Sequence, residues 1–402
     1  MHVMYKKVLG LVLGALLTAG LATGCGSSSD NSGGGGGGGG GSKGSIKVAG
    51  LFTLTPQAFG NDAVKMARQV FDDQNAAGGI GGRKIEYLSG DDTANPTQAA
   101  QLARKFVGQG AVAMVGTVSF VDCGTNHGYY EKQGIASIVG IGADPFCFTT
   151  PNVVPVNIGP FTSVTADLYY ATKFLDDKKI CIFLAPTPGS KDAQDAAVDR
   201  WTKLTGQKPV VMDDSLPLTE SNFTPYLLRA KNAGCDAIFR NGSDTTGLSI
   251  LKAARNQGMQ DVDFLFDASS YTAQLAKSAS PLGMRVYLAS EFEPYTETQG
   301  ANADWIATAE RGRINETAFT QGAYVSAKWL IEVLRSIKGD ITRQSVLAAM
   351  KAGKPYNNPM VGSPLVMGDA KAHAPNQAIK MVSIKNGNWE VENKEFFTLP
   401  QG

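Results

Sequence analysis

From Ile46 to Ala289 the sequence alternates short apolar runs with amphipathic stretches, and it writes that plan twice. This alternation constrains the fold more than any other feature. A strand followed by a helix returns the chain to the same end of a sheet, so repeated strand–helix units require parallel pairing. In the first series, strands are expected at Ile46–Phe52, Lys84–Leu88, Ala111–Gly116 and Ala136–Gly140. Val64, Ala67, Val70 and Phe71 recur at helical spacing, with Asp62 as the expected cap. Asn95-Pro96 opens a second helix, since proline's missing N–H costs nothing in a first turn, and Ala99, Leu102, Ala103 and Phe106 form its apolar stripe. Ala111–Gly116 is apolar throughout, as in a strand covered on both faces.

The second series starts near Thr162. Strands are expected at Ile180–Leu184, Val210–Met212, Ala237–Phe239, Phe264–Phe266 and Val286–Ala289. The helices between them carry Ala193, Ala197, Val198, Trp201 and Leu204, then residues 223–233 and 248–257. Three further helices, near 304–311, 318–337 and 344–352, add to one lobe. Ile379–Ile384 and Trp389–Val391 form a hairpin around Asn386-Gly387. The expected fold class is α/β, with two doubly wound parallel-sheet lobes.

Upstream of this body, Lys6 and Lys7 precede the apolar run Val8–Leu17, the layout of a secretory signal. Leu21-Ala22-Thr23-Gly24-Cys25 resembles the bacterial lipobox, which implies cleavage of residues 1–24 and acylation of Cys25. Two or three acyl chains would anchor the protein durably, where one is marginal. Residues 25–45 are almost wholly Gly, Ser and Asn, a composition that cannot bury apolar surface and reads as a flexible linker. About 20 such residues reach roughly 25 Å. In an oxidising compartment disulfides are permitted. Cys123 and Cys147 both follow strands of one lobe and are the expected pair, whereas Cys181 and Cys235 lie in apolar segments where plain buried thiols fit equally well.

The 402 residues carry a net charge of +1 without a basic patch, so no nucleic-acid partner is expected. A search for catalysis is negative. Of three histidines, His2 lies in the signal, and His127 and His373 have no second histidine at zinc spacing. His127 is expected to be a hydrogen-bonded loop residue. No Gly-x-Ser-x-Gly elbow follows a strand, and the sequence contains no phosphate loop or Cys-x-x-Cys pair, so no enzyme activity, cofactor or metal is expected. Acidic pairs such as Asp91–Asp92 read as strand-end features.

The first lobe resembles the periplasmic binding proteins for branched-chain amino acids and related solutes. The residues that carry the resemblance run from Ile46-Lys47-Val48 through Asn75-Ala76-Ala77-Gly78-Gly79-Ile80-Gly81-Gly82, Asp91-Asp92, Pro96, Gln98-Ala99 and Val115-Gly116 to Gly134-Ile135. The resemblance implies periplasmic binding protein type I architecture: two lobes joined by three crossovers. The first lobe would hold 46–161 and 291–357, and the second 162–290 and 358–402. It implies capture of an amino acid or a small organic or aromatic acid in the cleft, by hinge closure, for a membrane permease of an ABC transporter. The location implied is the outer face of the bacterial cytoplasmic membrane, reached through the lipid anchor alone, and a monomer is expected. Position by position, the resemblance implies ligand contacts at Phe59, at Ser119 and Phe120, at Gly142, Ala143 and Asp144, and at Ser190, Ser243 and Asp267. Arg240, at the carboxyl end of its strand, is suited to gripping a ligand carboxylate. Two other readings remain open: a lipoprotein that reports ligand to a signalling receptor, and a surface hydrolase.

Overall fold

The structure is a computed structural model that describes residues 44–55, 60–187, 189–217 and 219–400. The expected signal segment, Cys25, the linker through residue 43, and Phe59 lie outside the described residues.

In chain order the first series is β1 (Ile46–Phe52), α1 (Gly60–Ala76), β2 (Ile85–Asp91), α2 (Pro96–Gly108), β3 (Ala113–Val118), α3 (Asp122–Gln133), β4 (Ala136–Ile141), α4 (Phe146–Thr149) and β5 (Val153–Pro155). The second is α5 (Pro160–Lys173), β6 (Ile180–Phe183), α6 (Lys191–Thr205), β7 (Val211–Asp213), α7 (Thr224–Ala233), β8 (Ala237–Arg240), α8 (Asp244–Asn256), β9 (Asp263–Phe266), α9 (Ala273–Ala279) and β10 (Arg285–Ser290). Then follow α10 (Ala303–Gly312), α11 (Ala318–Ser336), α12 (Arg343–Lys351), β11 (Ala378–Lys385), β12 (Asn388–Val391) and β13 (Phe397–Thr398).

One sheet has the order β2-β1-β3-β4-β5 and is parallel throughout. The other runs β7-β6-β8-β9-β10 in parallel, then continues antiparallel through β11 and β12. Successive side chains of each strand point to opposite faces. Thus Ala49 and Leu51 of β1 pack with Ala99, Ala103 and Phe106 of α2, while Val48 and Phe52 join the core that includes Ala63, Met66 and Ala67 of α1. In the second sheet Ile180 and Ile182 meet Val164 and Leu168 of α5, while Cys181 and Phe183 share a core with Leu227 of α7 and Leu251 of α8. Each sheet is therefore covered on both faces.

Local chemistry fixes the element ends. Asn95 caps α2, its Oδ1 accepting from Thr97 N at 2.8 Å and Gln98 N at 3.2 Å. Thr317 and Thr320 form a reciprocal capping box on α11. That helix lies against β3 and β4, so closely that a Cβ at Gly322 would collide with the Gly140 carbonyl. The β11–β12 hairpin turns on Asn386 (φ 52°) and Gly387 (φ 81°), the left-handed pair a two-residue turn needs.

Several expectations are corrected. Asp62 lies inside the first turn of α1, which begins at Gly60, and pairs with Lys65 at 2.8 Å instead of capping. His127 belongs to α3, its Nδ1 lying 2.9 Å from Cys123 O. β5 and α9 were not anticipated. β5 is three residues long, and Pro155 fits it because the strand lies at a sheet edge. The third passage between the sheets lies in residues 352–377, between α12 and β11. Within it, His373 N donates to Phe148 O at 2.8 Å and its Nε2 lies 3.0 Å from Pro151 O, while Gln377 N donates to Ser363 Oγ at 3.2 Å.

Candidate functional site

In an open parallel sheet, loops diverge where the strand order reverses, and ligands bind beyond the carboxyl ends of those strands. The order reverses between β1 and β3 in the first sheet, and between β6 and β8 in the second. Both positions carry organised polar residues.

At the first reversal, Asp92 joins the loops after β1, β2 and β3. Its Oδ1 accepts from Thr53 Oγ1 at 2.8 Å and Ala94 N at 2.9 Å, and its Oδ2 accepts from Ser119 Oγ. Ser119 Oγ in turn accepts from Val121 N at 3.1 Å and Asp122 N at 3.0 Å. The buried Ser119 hydroxyl therefore spends its donor on Asp92 and both acceptor sites on the loop that leads into α3. Phe120 follows with its ring 42% exposed, and its N–H donates to Thr53 Oγ1 at 3.3 Å.

After β4, Asp144 accepts from Phe146 N at 2.8 Å and Gly124 N at 2.9 Å, while burial raises its pKa. Ala143, half-buried, lies between it and Gly142. The Cys123 and Cys147 sulfurs are bonded and join α3 to α4 beside Asp144. Phe146, 43% exposed, stacks on His127 with centroids 4.1 Å apart.

At the second reversal, Asn241 exchanges two hydrogen bonds with the Ala185 backbone, each 2.9 Å, and so pins the loop after β6 to the loop after β8. Arg240 ends β8 and is 2% exposed. Its Nη1 donates to the Asn241 carbonyl and, at 2.5 Å, to Asn241 Oδ1. Its Nε has no partner, and no carboxylate among the described residues forms an ion pair with it. Burial brings its pKa down to about 10, so it stays cationic at neutral pH. Asp267, after β9, feels Arg240 electrostatically, but its Oδ1 accepts from Ser269 N at 3.0 Å, and burial pushes its pKa up to about 6. Ser243 caps α8, accepting from Thr246 N at 3.5 Å. Ser190 is buried and donates to Thr187 O at 2.9 Å, within its own turn. Cys181 and Cys235, open between thiols and a pair in the sequence, are bonded.

The strand ends of the two sheets meet at the crossovers. Gly142, after β4, donates its N–H to Asn157 Oδ1 at 2.8 Å, and Asn157 Nδ2 donates to Glu291 Oε1, also at 2.8 Å. Glu291 directly follows β10. Neither Asn157 nor Glu291 was anticipated, because no motif marks a lone polar residue between elements. Asn241 was missed for the same reason.

A cavity of about 1100 Å³ runs between Tyr271–Ala273, residues 293–298, residues 315–319 and β12. It contains none of the expected ligand residues. Its inner charges are already paired, Lys380 with Glu293 at 2.7 Å, so the candidate site is placed at the strand reversals, where Arg240 has no such partner among the described residues.

Similar proteins share this architecture. Leu/Ile/Val-binding protein homolog 2 of Brucella abortus (strain 2308) is 23% identical over 315 residues, covering 77% of this chain and 83% of its own. The branched-chain amino acid transporter substrate-binding protein LivJ of Streptococcus pneumoniae, solved with isoleucine, superposes with a TM-score of 0.73 at 19% identity, over 88% of this chain and 99% of that one. An R. palustris solute-binding protein solved with 4-hydroxybenzoate superposes with a TM-score of 0.71 at 18% identity, over 89% and 98%. The model of the periplasmic binding protein family matches residues 45–388, and the chain belongs to that family.

Proposed function

We propose that this chain is the extracytoplasmic solute-binding lipoprotein of an ABC importer, which captures a small carboxylate between its lobes by hinge closure. One observation carries the reading: Arg240 is a buried guanidinium at the carboxyl end of a strand, beside a reversal in strand order, without a carboxylate partner among the described residues. A buried charge is costly unless something pairs with it. A planar guanidinium is suited to bidentate pairing with a carboxylate. A solute that touches both lobes shifts the population toward the closed form by its differential affinity for that form.

The exposed rings of Phe120 and Phe146, in the loops after β3 and β4, favour an apolar or aromatic body on that acid. Isoleucine in LivJ and 4-hydroxybenzoate in the R. palustris protein bracket the sizes to test. Asp267 would meet an ammonium group if the ligand is an amino acid. Acylation at Cys25 would hold a monomeric body on the outer face of the cytoplasmic membrane, within reach of its permease.

A thermal-shift screen of amino acids, aliphatic acids and aromatic acids tests this. A ligand at 100 times its dissociation constant should stabilise the protein by about 2.7 kcal/mol, and Arg240→Ala should abolish that gain. An identical gain in Arg240→Ala would reject the assignment of Arg240.

A further inference from the structure

Three polar residues lie where the chain passes between the lobes, and all are buried: Asn157 in the first crossover, Glu291 in the second and Asn376 in the third. Glu291 Oε1 accepts from Asn157 Nδ2 at 2.8 Å and from Gly159 N at 3.0 Å. Asn376 Nδ2 donates to Val156 O at 3.1 Å and to Glu291 O at 2.8 Å. All three crossovers are thus joined by side chains, and not by backbone packing alone. The network continues into the first lobe, where Asn157 Oδ1 accepts from Gly142 N at 2.8 Å and Asn157 Nδ2 lies 3.2 Å from Gly142 O. Gly142 heads the loop 142–144. No cation pairs with the Glu291 carboxyl among the described residues, so it is held by donors that belong to the crossovers themselves.

We infer that Asn157, Glu291 and Asn376 are positioning residues for solute capture, which lock the three crossovers together and fix the Gly142–Asp144 loop to them. A change in lobe angle must turn the chain at these crossovers, and a bond from Asn157 to Gly142 carries that turn to the strand end. In the reverse direction, a solute that orders the loop restricts the crossovers. This assignment rests on the reading that solute is captured at those strand ends. A buried network that served folding alone would lower stability when cut but would leave lobe geometry and solute release unchanged.

Spin labels at Lys105→Cys on α2 and Lys252→Cys on α8, both exposed positions on different lobes, report the inter-lobe distance. In the solute-free chain, Asn157→Ala should broaden the distance distribution. With the acid found by the screen, it should speed release about tenfold. Glu291→Gln keeps an oxygen for both donors and should stay near wild type in both readouts. An Asn157→Ala protein with a lower Tm but unchanged distances and release would overturn the inference. If that variant fails to fold, Asn376→Ala cuts the third crossover from the other two and is judged by the same two readouts. A wild-type distance that no acid alters would count against the capture reading, while the solute-free distribution would still decide whether the network holds the hinge.

Discussion

Arg240 shows how a single residue can be placed against stability. Its guanidinium is buried and, among the described residues, bonded only to Asn241, with an orphan Nε. Replacing buried charge by an apolar side chain of similar volume is often neutral or stabilising. Solute-free Arg240→Met should therefore unfold no more easily than wild type, and should gain on the order of 1 kcal/mol in denaturant titrations, while binding of the acid is lost. A loss of several kcal/mol would show that Arg240 supports the fold and not the ligand. Glu291 gives a second residue-scale test. Burial pushes its carboxyl up to about 7, and pushes those of Asp122 and Asp267 up to about 6. The folded chain then holds more protons than the unfolded chain between the ordinary carboxyl range and about pH 7. Stability falls as pH rises through that window, and the penalty is complete above it. The Tm should be higher at pH 5.5 than at pH 8, and Glu291→Gln should flatten the slope by its share of a few kcal/mol. A Tm that rises over that interval would contradict the burial argument. Arg240 was legible as a cation at a strand end. That the Ser119 hydroxyl would donate to Asp92 and accept from Val121 N and Asp122 N was not, because such saturation depends on separate loops meeting.

At the scale of elements, most strands and helices follow from periodicity, since burial on two faces writes long apolar runs and amphipathic stripes into the sequence. β1, β4, β6, β8 and the β11–β12 hairpin lie where those signals place them. Elements too short to show a period were invisible, as with β5 and α9. Cap chemistry was legible where a side chain and a proline coincide, as at Asn95-Pro96, and misleading at Asp62, where α1 starts two residues earlier. The disulfides bind segments that hydrogen bonds also join, Asp236 N to Lys179 O at 3.0 Å beside one and Gly124 N to Asp144 Oδ2 at 2.9 Å beside the other. Cys123 and Cys147 are 24 residues apart and Cys181 and Cys235 are 54 apart. Loops of that size correspond to about 3–4 kcal/mol each in the chain-entropy account. Cys181→Ser with Cys235→Ser should lower unfolding stability by roughly that amount. A pair of substitutions without effect would show that the packing of β6 against β8 already holds that face.

For the whole molecule, the two-lobe plan was legible because the α/β alternation is written twice. The path of the third crossover was not, because residues 353–376 carry little regular structure and are held by scattered hydrogen bonds such as those of His373 to Phe148 and Pro151. The same holds for the crossover network, whose members lie more than 80 residues apart in sequence at their nearest. The proposed membrane attachment rests on Cys25. Cys25→Ser should release the protein from the membrane fraction and abolish incorporation of labelled fatty acid. Continued labelling would place the lipid elsewhere. The central claim is that an acid binds at the strand ends by pairing with Arg240. A crystal structure of the complex with the acid found in the screen tests it most directly. The predicted result is a carboxylate within hydrogen-bonding distance of the Arg240 guanidinium, with the lobes closed over it. An acid seated instead against Tyr271–Ala273 and residues 293–298, with Arg240 still bonded only to Asn241, would contradict it.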